Sequence, residues 1–202
     1  MTYGAVIVET RPIENLHQII YKHVKYLPKD WQTLVFCSKE NEHLVPSTCK
    51  KVVLPSAFMD QNEYNRLLTS MWFWNNIPFE KVLIFQHDSE IFRRWNKKFE
   101  QWDYIGAPWG FQRHGGNGGL SWRSVDAMKF CISKTEWIHV MGNEDVYFCN
   151  ILHNTTQYKL ADRMVCSEFA CETIYQPNTF GGHAIDKWLT PEECTKLRTQ
   201  KL

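Results

Sequence analysis

Four short apolar runs punctuate the first 90 residues: Ala5 to Val8, Leu34 to Cys37, Val52 to Leu54 and Val82 to Phe85, each bounded by polar residues, Pro or Gly. Such runs read as buried strands. Between them the spacing is helical. Ile13 to Tyr26 follows Pro12, and "NEYNRLLTSMWFWNN" repeats apolar positions at Tyr64, Leu67, Leu68, Met71 and Trp72. This alternation predicts an α/β fold, a mostly parallel sheet flanked by helices in a single domain over residues 1–202. The second half is turn-rich, with "RHGGNGGLSWRS", a helix at about 143 to 153, and "FACETIYQPNTFGGHAIDKW". "TPEECTKLRTQKL" reads as a last helix with Thr190 as N-cap, Pro191 in the first turn, and Glu192 and Glu193 at the positive end of the dipole. No natural end is marked, which leaves room for a module of a longer polypeptide.

The strand ends carry the candidate chemistry, because ligands of open α/β sheets bind outside the carboxyl ends of the strands. The first strand ends in Glu9, Thr10 and Arg11, and the fourth in Gln86, His87, Asp88 and Ser89. Asp88 is a candidate ligand of a hard divalent ion shared with substrate phosphates; it is equally placed to cap a helix starting near Glu90. The glycines around Asn117, including Gly118 and Gly119, permit close backbone approach to a ligand, or an ordinary hairpin turn. Their spacing matches neither the dinucleotide fingerprint nor the P-loop. Glu144 and Asp145 lie in the first turn of a helix, where the dipole favours carboxylates, and one of them is a candidate general base. His183, after two glycines in a segment that reads as too irregular for a core strand, is a candidate metal ligand.

Composition narrows the partners. A net charge of +1, from 23 basic and 22 acidic residues, gives no bulk attraction to nucleic acid or to an anionic membrane. The N-terminal apolar run stops at Glu9, too short for a signal-peptide core, and no run of 18 apolar residues offers a membrane span. Seven cysteines without a CxxC pair read as reduced thiols, so the expectation is a cytoplasmic protein with most cysteines in the core. Most of the nine tryptophans are also expected in the core, with Trp102, Trp109 and Trp122 lying around the glycines in sequence.

The order "FQHDS", "DYIGAPW", "NGGLSWRS", "EDVYF", "FGGHAIDKW" resembles the GT-A glycosyltransferases, and among them the small GT-A-like domains found in large algal viruses, bacteria and fungi. The resemblance covers roughly residues 4 to 190. It implies a GT-A-like, Rossmann-type fold and transfer of a sugar from a nucleotide-diphosphate sugar, with UDP the expected nucleotide, to a hydroxyl of a glycan or other acceptor. By the same resemblance Thr10 and Arg11 lie near the base and ribose, and Arg66 contacts the donor from its helix. Gln86, His87 and Asp88 stand where the family has its D-x-D motif, with Gln86 departing from the first aspartate. Asn117, Gly118 and Gly119 belong to a loop flanking the donor sugar, and Asp88 with His183 holds Mn²⁺ or Mg²⁺. Asp145, with Glu144 beside it, is the general base of an inverting reaction. The alternative reading is a non-catalytic nucleotide-sugar or glycan-binding module derived from such a transferase, which the Gln86 departure favours. A nucleotidyltransferase is disfavoured, because "ETRPIENL" lacks a Gly-rich basic loop after the first strand.

Overall fold

A computed structural model describes residues 1–56 and 58–199. In chain order the elements are β1 (Tyr3–Val8), α1 (Leu16–Val24), β2 (Gln32–Ser38), β3 (Lys50–Leu54), α2 (Gln61–Leu68), α3 (Met71–Asn75), β4 (Lys81–Phe85) and β5 (Ser89–Ile91). There follow β6 (Tyr104–Ala107), β7 (Asn117–Ser124), α4 (Val125–Lys134), α5 (Glu144–His153), α6 (Arg163–Phe169), β8 (Ala170–Cys171), β9 (Gly181–His183), α7 (Ile185–Trp188) and α8 (Pro191–Arg198). A six-stranded sheet has the order β3-β2-β1-β4-β7-β6. β1 pairs in parallel with β2 and β4, and β2 with β3, whereas β7 runs antiparallel to both β4 and β6. The fold is thus α/β, with a mixed, mostly parallel sheet flanked by helices. No helix among the described residues is long and apolar enough to cross a membrane.

The central strands are apolar throughout because both faces of the sheet are covered. On β1, β2 and β4, residues Val6, Leu34, Phe36, Val82 and Ile84 face one core, built with Leu68, Phe73, Met128 and Phe148 from α2, α3, α4 and α5. The alternate residues Ala5, Ile7, Val35, Leu83 and Phe85 face a second core, built with Leu16 and Ile20 of α1 and Phe169 of α6. In that second core Trp122 stacks on Trp31 at 5.4 Å between centroids, and Trp95 lies 4.8 Å from Trp122. Trp122 and Trp109 are buried, as expected of most tryptophans, and neither they nor Trp102 line the cleft described below. Six of the seven cysteines are buried and all are free thiols.

Several expected elements differ in outcome. The single helical pattern from Asn62 to Asn76 is two helices, because the Ser70 hydroxyl caps α3 by accepting from the Phe73 N–H at 3.2 Å. "NGGLSWRS" is neither a loop nor a hairpin turn but β7, whose interior residues pair with β4 from Leu120↔Phe85 to Ser124↔Lys81. No helix follows Asp88, so it caps none; the chain continues as β5. His183 lies in a strand after all, since β9 pairs with both β5 and β8 in a small second sheet. The predicted helix from Ile13 to Tyr26 is shortened to α1. The last helix has the expected Thr190 capping box, while residues 200–202 of its predicted span lie outside the described residues.

Two tryptophans give a test of how these cores are held. The Trp74 Nε1–H donates to the Leu68 carbonyl at 2.6 Å, whereas the Trp122 Nε1–H has no hydrogen-bond partner among the described residues. Trp74→Phe should therefore cost about 1–2 kcal/mol more than Trp122→Phe in urea unfolding, because only the former breaks a buried hydrogen bond. Equal losses would show that ring volume alone sets both costs.

Candidate functional site

β1 and β4 are neighbours in the sheet although β2 and β3 come between them in sequence, so the strand order reverses at this pair. Open α/β sheets place ligands at such a switch point. Val6 lies opposite Ile84, so two residues further on Val8 and Gln86 reach the same edge. Because Phe85 pairs with Leu120, the start of β7 lies just beyond the carboxyl end of β4, and the Gln86 N–H donates to the Gly119 carbonyl at 2.9 Å. A cleft of about 300 Å³ opens there between the strand ends, α2 and the start of α5.

At the β1 end, Glu9 is buried and its carboxylate holds Arg11 by two bonds, Nε to Oε1 at 2.8 Å and Nη2 to Oε2 at 2.7 Å. The same guanidinium reaches His87, with Nη2 2.9 Å from Nδ1. Guanidinium nitrogens only donate, so His87 Nδ1 is the acceptor. Behind this group the Asn41 amide donates to the Glu9 and Arg11 carbonyls, both at 2.8 Å, and the Ser38 hydroxyl donates to the Thr10 carbonyl at 2.7 Å. Arg11 and Thr10 therefore sit on a backbone with its buried carbonyls satisfied. Ser38 and Asn41 are absent from the expected site; "SKEN" reads as a turn, and nothing in its spacing signals that it braces the strand next door.

At the β4 end, pairing of β9 with β5 sets His183 opposite Ser89, beside Asp88. His183 Nε2 lies 3.0 Å from Gln86 Oε1 and 3.3 Å from Asp88 Oδ1, and Nδ1 lies 3.0 Å from Glu172 Oε1. Every neighbour is an acceptor, so the ring carries both protons. Burial works to lower its pKa, but the bonds to Asp88 and Glu172 overcome burial and raise it to about 9. Burial likewise pushes the Asp88 carboxyl up, and the hydrogen bond and charge of His183, with smaller contributions beside them, together hold it below its ordinary value. Asp88 itself is half-exposed and lines a neighbouring cavity of about 980 Å³ between α1 and the small sheet rather than the main cleft.

The far wall is built by β7 and α5. Asp145 accepts the Gly118 N–H at Oδ2 and the Val146 N–H at Oδ1, each at 2.8 Å. Its burial, reinforced by the neighbouring Glu144 carboxylate, raises the carboxyl to about 7 against the pull of these donors and of Arg123. Glu144 points elsewhere, as adjacent helical residues lie about 100° apart. Its carboxylate is taken up by the fully buried Arg123, with Nη2 to Oε1 at 2.8 Å and a second bond from Nη1 to Oε2. Gly118 and Gly119 are dictated by their surroundings: a Cβ on Gly118 would overlap Glu144 and Arg123, and one on Gly119 would overlap the His183 ring. Asn117 Oδ1 accepts the Gly119 N–H at 2.8 Å.

Helix α2 reaches the cleft through other residues than Arg66. Gln61, Tyr64 and Asn65 share one helical face and line the cleft, whereas Arg66 falls off that face and is exposed to solvent. Asn65 Oδ1 accepts the Glu144 N–H at 3.0 Å, and the Gln61 and Asn65 amides both donate to Asn143 Oδ1. The 3.6-residue period, applied to the polar positions of this helix, is the signal that would have found them.

Among the described residues no three His, Cys, Asp or Glu side chains converge as a ready-made metal site. The donor set at Asp88 and His183 still fits a divalent ion in kind: a carboxylate oxygen and an imidazole nitrogen 3.3 Å apart, with the Gln86 amide oxygen alongside. Glu172 stands behind the imidazole in the position from which a carboxylate orients a ligating histidine. Such a pair leaves the remaining positions of the ion to water and phosphate oxygens. It also requires loss of the Nε2 proton on binding.

The chain is an α/β protein with a cleft at the switch point of its sheet. The chain belongs to the family described as protein of unknown function (DUF5672), whose model matches residues 49–183. That span includes the cleft residues from Tyr64 to His183 and leaves out β1. Among curated proteins none matches the chain.

The Arg123–Glu144 pair is the part of this site most exposed to a stability test. Arg123→Met leaves Glu144 charged and buried without its partner, and should cost about 3–5 kcal/mol in urea unfolding. Adding Glu144→Leu should restore most of that loss, since a buried ion pair replaced on both sides by apolar groups is often neutral or stabilising. A double variant as unstable as the single one would show that the pair contributes beyond mutual charge compensation.

Proposed function

We propose that the protein is a glycosyltransferase that moves a sugar from a nucleotide-diphosphate sugar, with UDP as its nucleotide, to an acceptor hydroxyl. One observation carries the reading: two consecutive residues, Gly118 and Gly119, join a buried carboxyl with a pKa of about 7 to the Asp88–His183 pair. A transferase needs both functions side by side, a base for the acceptor hydroxyl and a site for the charge that develops on the departing diphosphate.

In the proposed reaction the acceptor oxygen forms a bond to the anomeric carbon as the bond from that carbon to the diphosphate oxygen breaks. The electron pair of the broken bond leaves on the diphosphate, and the acceptor proton passes to Asp145. Arg11, held by Glu9, presents a fixed guanidinium for the nucleotide portion. Mn²⁺ or Mg²⁺ held by Asp88 and His183 would supply a Lewis acid for the leaving group. Glu144, committed to Arg123, serves as a positioning residue. Inversion at the anomeric carbon follows from a base that acts on the acceptor in a single displacement. A second reading has one observation in its favour: Gln86 replaces an acidic residue of the motif and spends its oxygen on His183, as a non-catalytic binding module would tolerate. Release of nucleotide from a donor sugar in the presence of Mn²⁺ separates the two.

Asp145 must be ionised to accept a proton, so kcat/KM should fall about tenfold per pH unit below about 7 and level off above it. Asp145→Asn should lower turnover by about 10²- to 10⁴-fold, abolish that acidic limb and leave donor affinity nearly unchanged. An intact rate and pH profile in the variant would leave the inverting mechanism without its base.

Asp88→Ala should remove Mn²⁺-dependent binding of a nucleoside diphosphate while the fold persists, since the side chain is half-exposed and carries little packing. Calorimetric titration with UDP, with and without Mn²⁺, reads this directly. Unchanged affinity would take Asp88 out of the metal site.

A further inference from the structure

The cleft divides into an end at Glu9, Arg11 and His87, and a second end where amides on α2 and at Asn117 and Asn143 lie beside Glu144 and Asp145. Most of the amides at this second end already have partners. Asn65 and Gln61 bond Asn143, Asn117 bonds the Gly119 N–H, and Gln86 Oε1 faces His183. Tyr64 differs from them: its hydroxyl is buried and has no hydrogen-bond partner among the described residues.

Four features fix what this hydroxyl can do. It is rigidly placed, because a reciprocal capping box between Asp60 and Glu63 anchors the start of α2 one turn away. Gln86 stands beside it, and with its oxygen turned to His183 the amide offers Tyr64 only N–H. The phenolic oxygen can accept from that amide, but its own proton needs another acceptor. Burial raises the phenol above its ordinary value, so the group remains a donor across the working pH range. The charges nearest to it are Glu144, Arg123 and Asp145 rather than the Glu9–Arg11 pair. Glu144 and Arg123 compensate each other, which leaves no free positive charge among these groups to hold an anionic ligand group, and an uncharged oxygen close to the base suits the position.

We propose that Tyr64 is the residue through which the cleft recognises the transferred sugar, its hydroxyl donating a hydrogen bond to a hydroxyl or ring oxygen of that sugar. This rests on the transferase reading for the identity of the ligand, but the unpartnered hydroxyl can be tested without it. A buried hydroxyl without a partner is a standing cost to the fold, which the ligand removes on binding. Such a residue trades stability of the free protein for affinity, and a structural tyrosine does not.

The test is Tyr64→Phe, measured by thermal melting of the ligand-free protein and by calorimetric titration of UDP-glucose, GDP-mannose and UDP with Mn²⁺. The ligand-free variant should melt at or above the parent. Its affinity for whichever nucleotide-sugar binds the parent should fall by about 5- to 10-fold, with affinity for UDP unchanged. A lower melting temperature in the free variant would reveal a structural role and overturn the proposal. So would equal losses for UDP and the nucleotide-sugar, which would move the contact to the nucleotide. If a nucleotide-sugar binds parent and variant equally, the Tyr64 assignment falls and the transferase reading stands. If neither nucleotide-sugar binds the parent, the transferase reading falls and the sugar assignment falls with it.

Discussion

The site depends on one ion pair buried beneath it. Arg123, on β7, carries a full charge at a position without solvent exposure and spends it on Glu144 at the start of α5. The remaining donors go to Ser121 Oγ and the Gly118 carbonyl, and the guanidinium lies 5.0 Å from the Tyr104 ring centroid and 5.8 Å from that of Phe148. A pair of this kind costs desolvation that its mutual attraction only partly offsets. Its structural consequence is orientation. With Glu144 turned into the core, the next residue is rotated toward the cleft, and Gly118, whose carbonyl meets Arg123, has its N–H on Asp145. Asn65 extends the network to α2 by accepting the Glu144 N–H.

A second constraint is the covering of the sheet on both faces. It forces β1 and β4 to be apolar to their last residues and delivers the first polar residues after both strands to one edge. The small sheet then completes the edge from the far end of the sequence, since pairing of β9 with β5 is what brings His183 to Asp88, 95 positions earlier in the chain. Gly181 and Gly182 are needed for that approach: a Cβ on the former would crowd Leu120, and on the latter Ile185.

The two titratable groups at the centre of the cleft are shifted by different balances of the same forces. Burial dominates at Asp145, where two backbone donors and Arg123 recover only part of its cost. At His183 two carboxylate partners overcome burial. Environments that separate an acid and a base in this way are the general means by which one fold runs proton transfer near neutral pH. The cleft therefore has a carboxyl poised close to neutrality and, apart from it, an imidazole held protonated by its partners.

Local chemistry was enough to read the four parallel strands, the start of α5 and the Thr190 cap, because each depends on residues adjacent in sequence. It also pointed to the strand ends that border the cleft, since a buried run that stops at "QHDS" must open onto solvent or a ligand. It did not reveal that "NGGLSWRS" is a strand, because its glycines answer to Glu144, Arg123 and His183, which only the folded chain brings near. For the same reason the sequence pattern does not single out Tyr64 and Asn65: which face of α2 meets the cleft is decided by where α5 lies. Roles for Glu144, Asn41 and Ser38 were equally out of reach. Each is set by a hydrogen bond to a residue 21 to 32 positions away, and pairings at that range are chosen by sheet register and helix packing rather than by any local pattern.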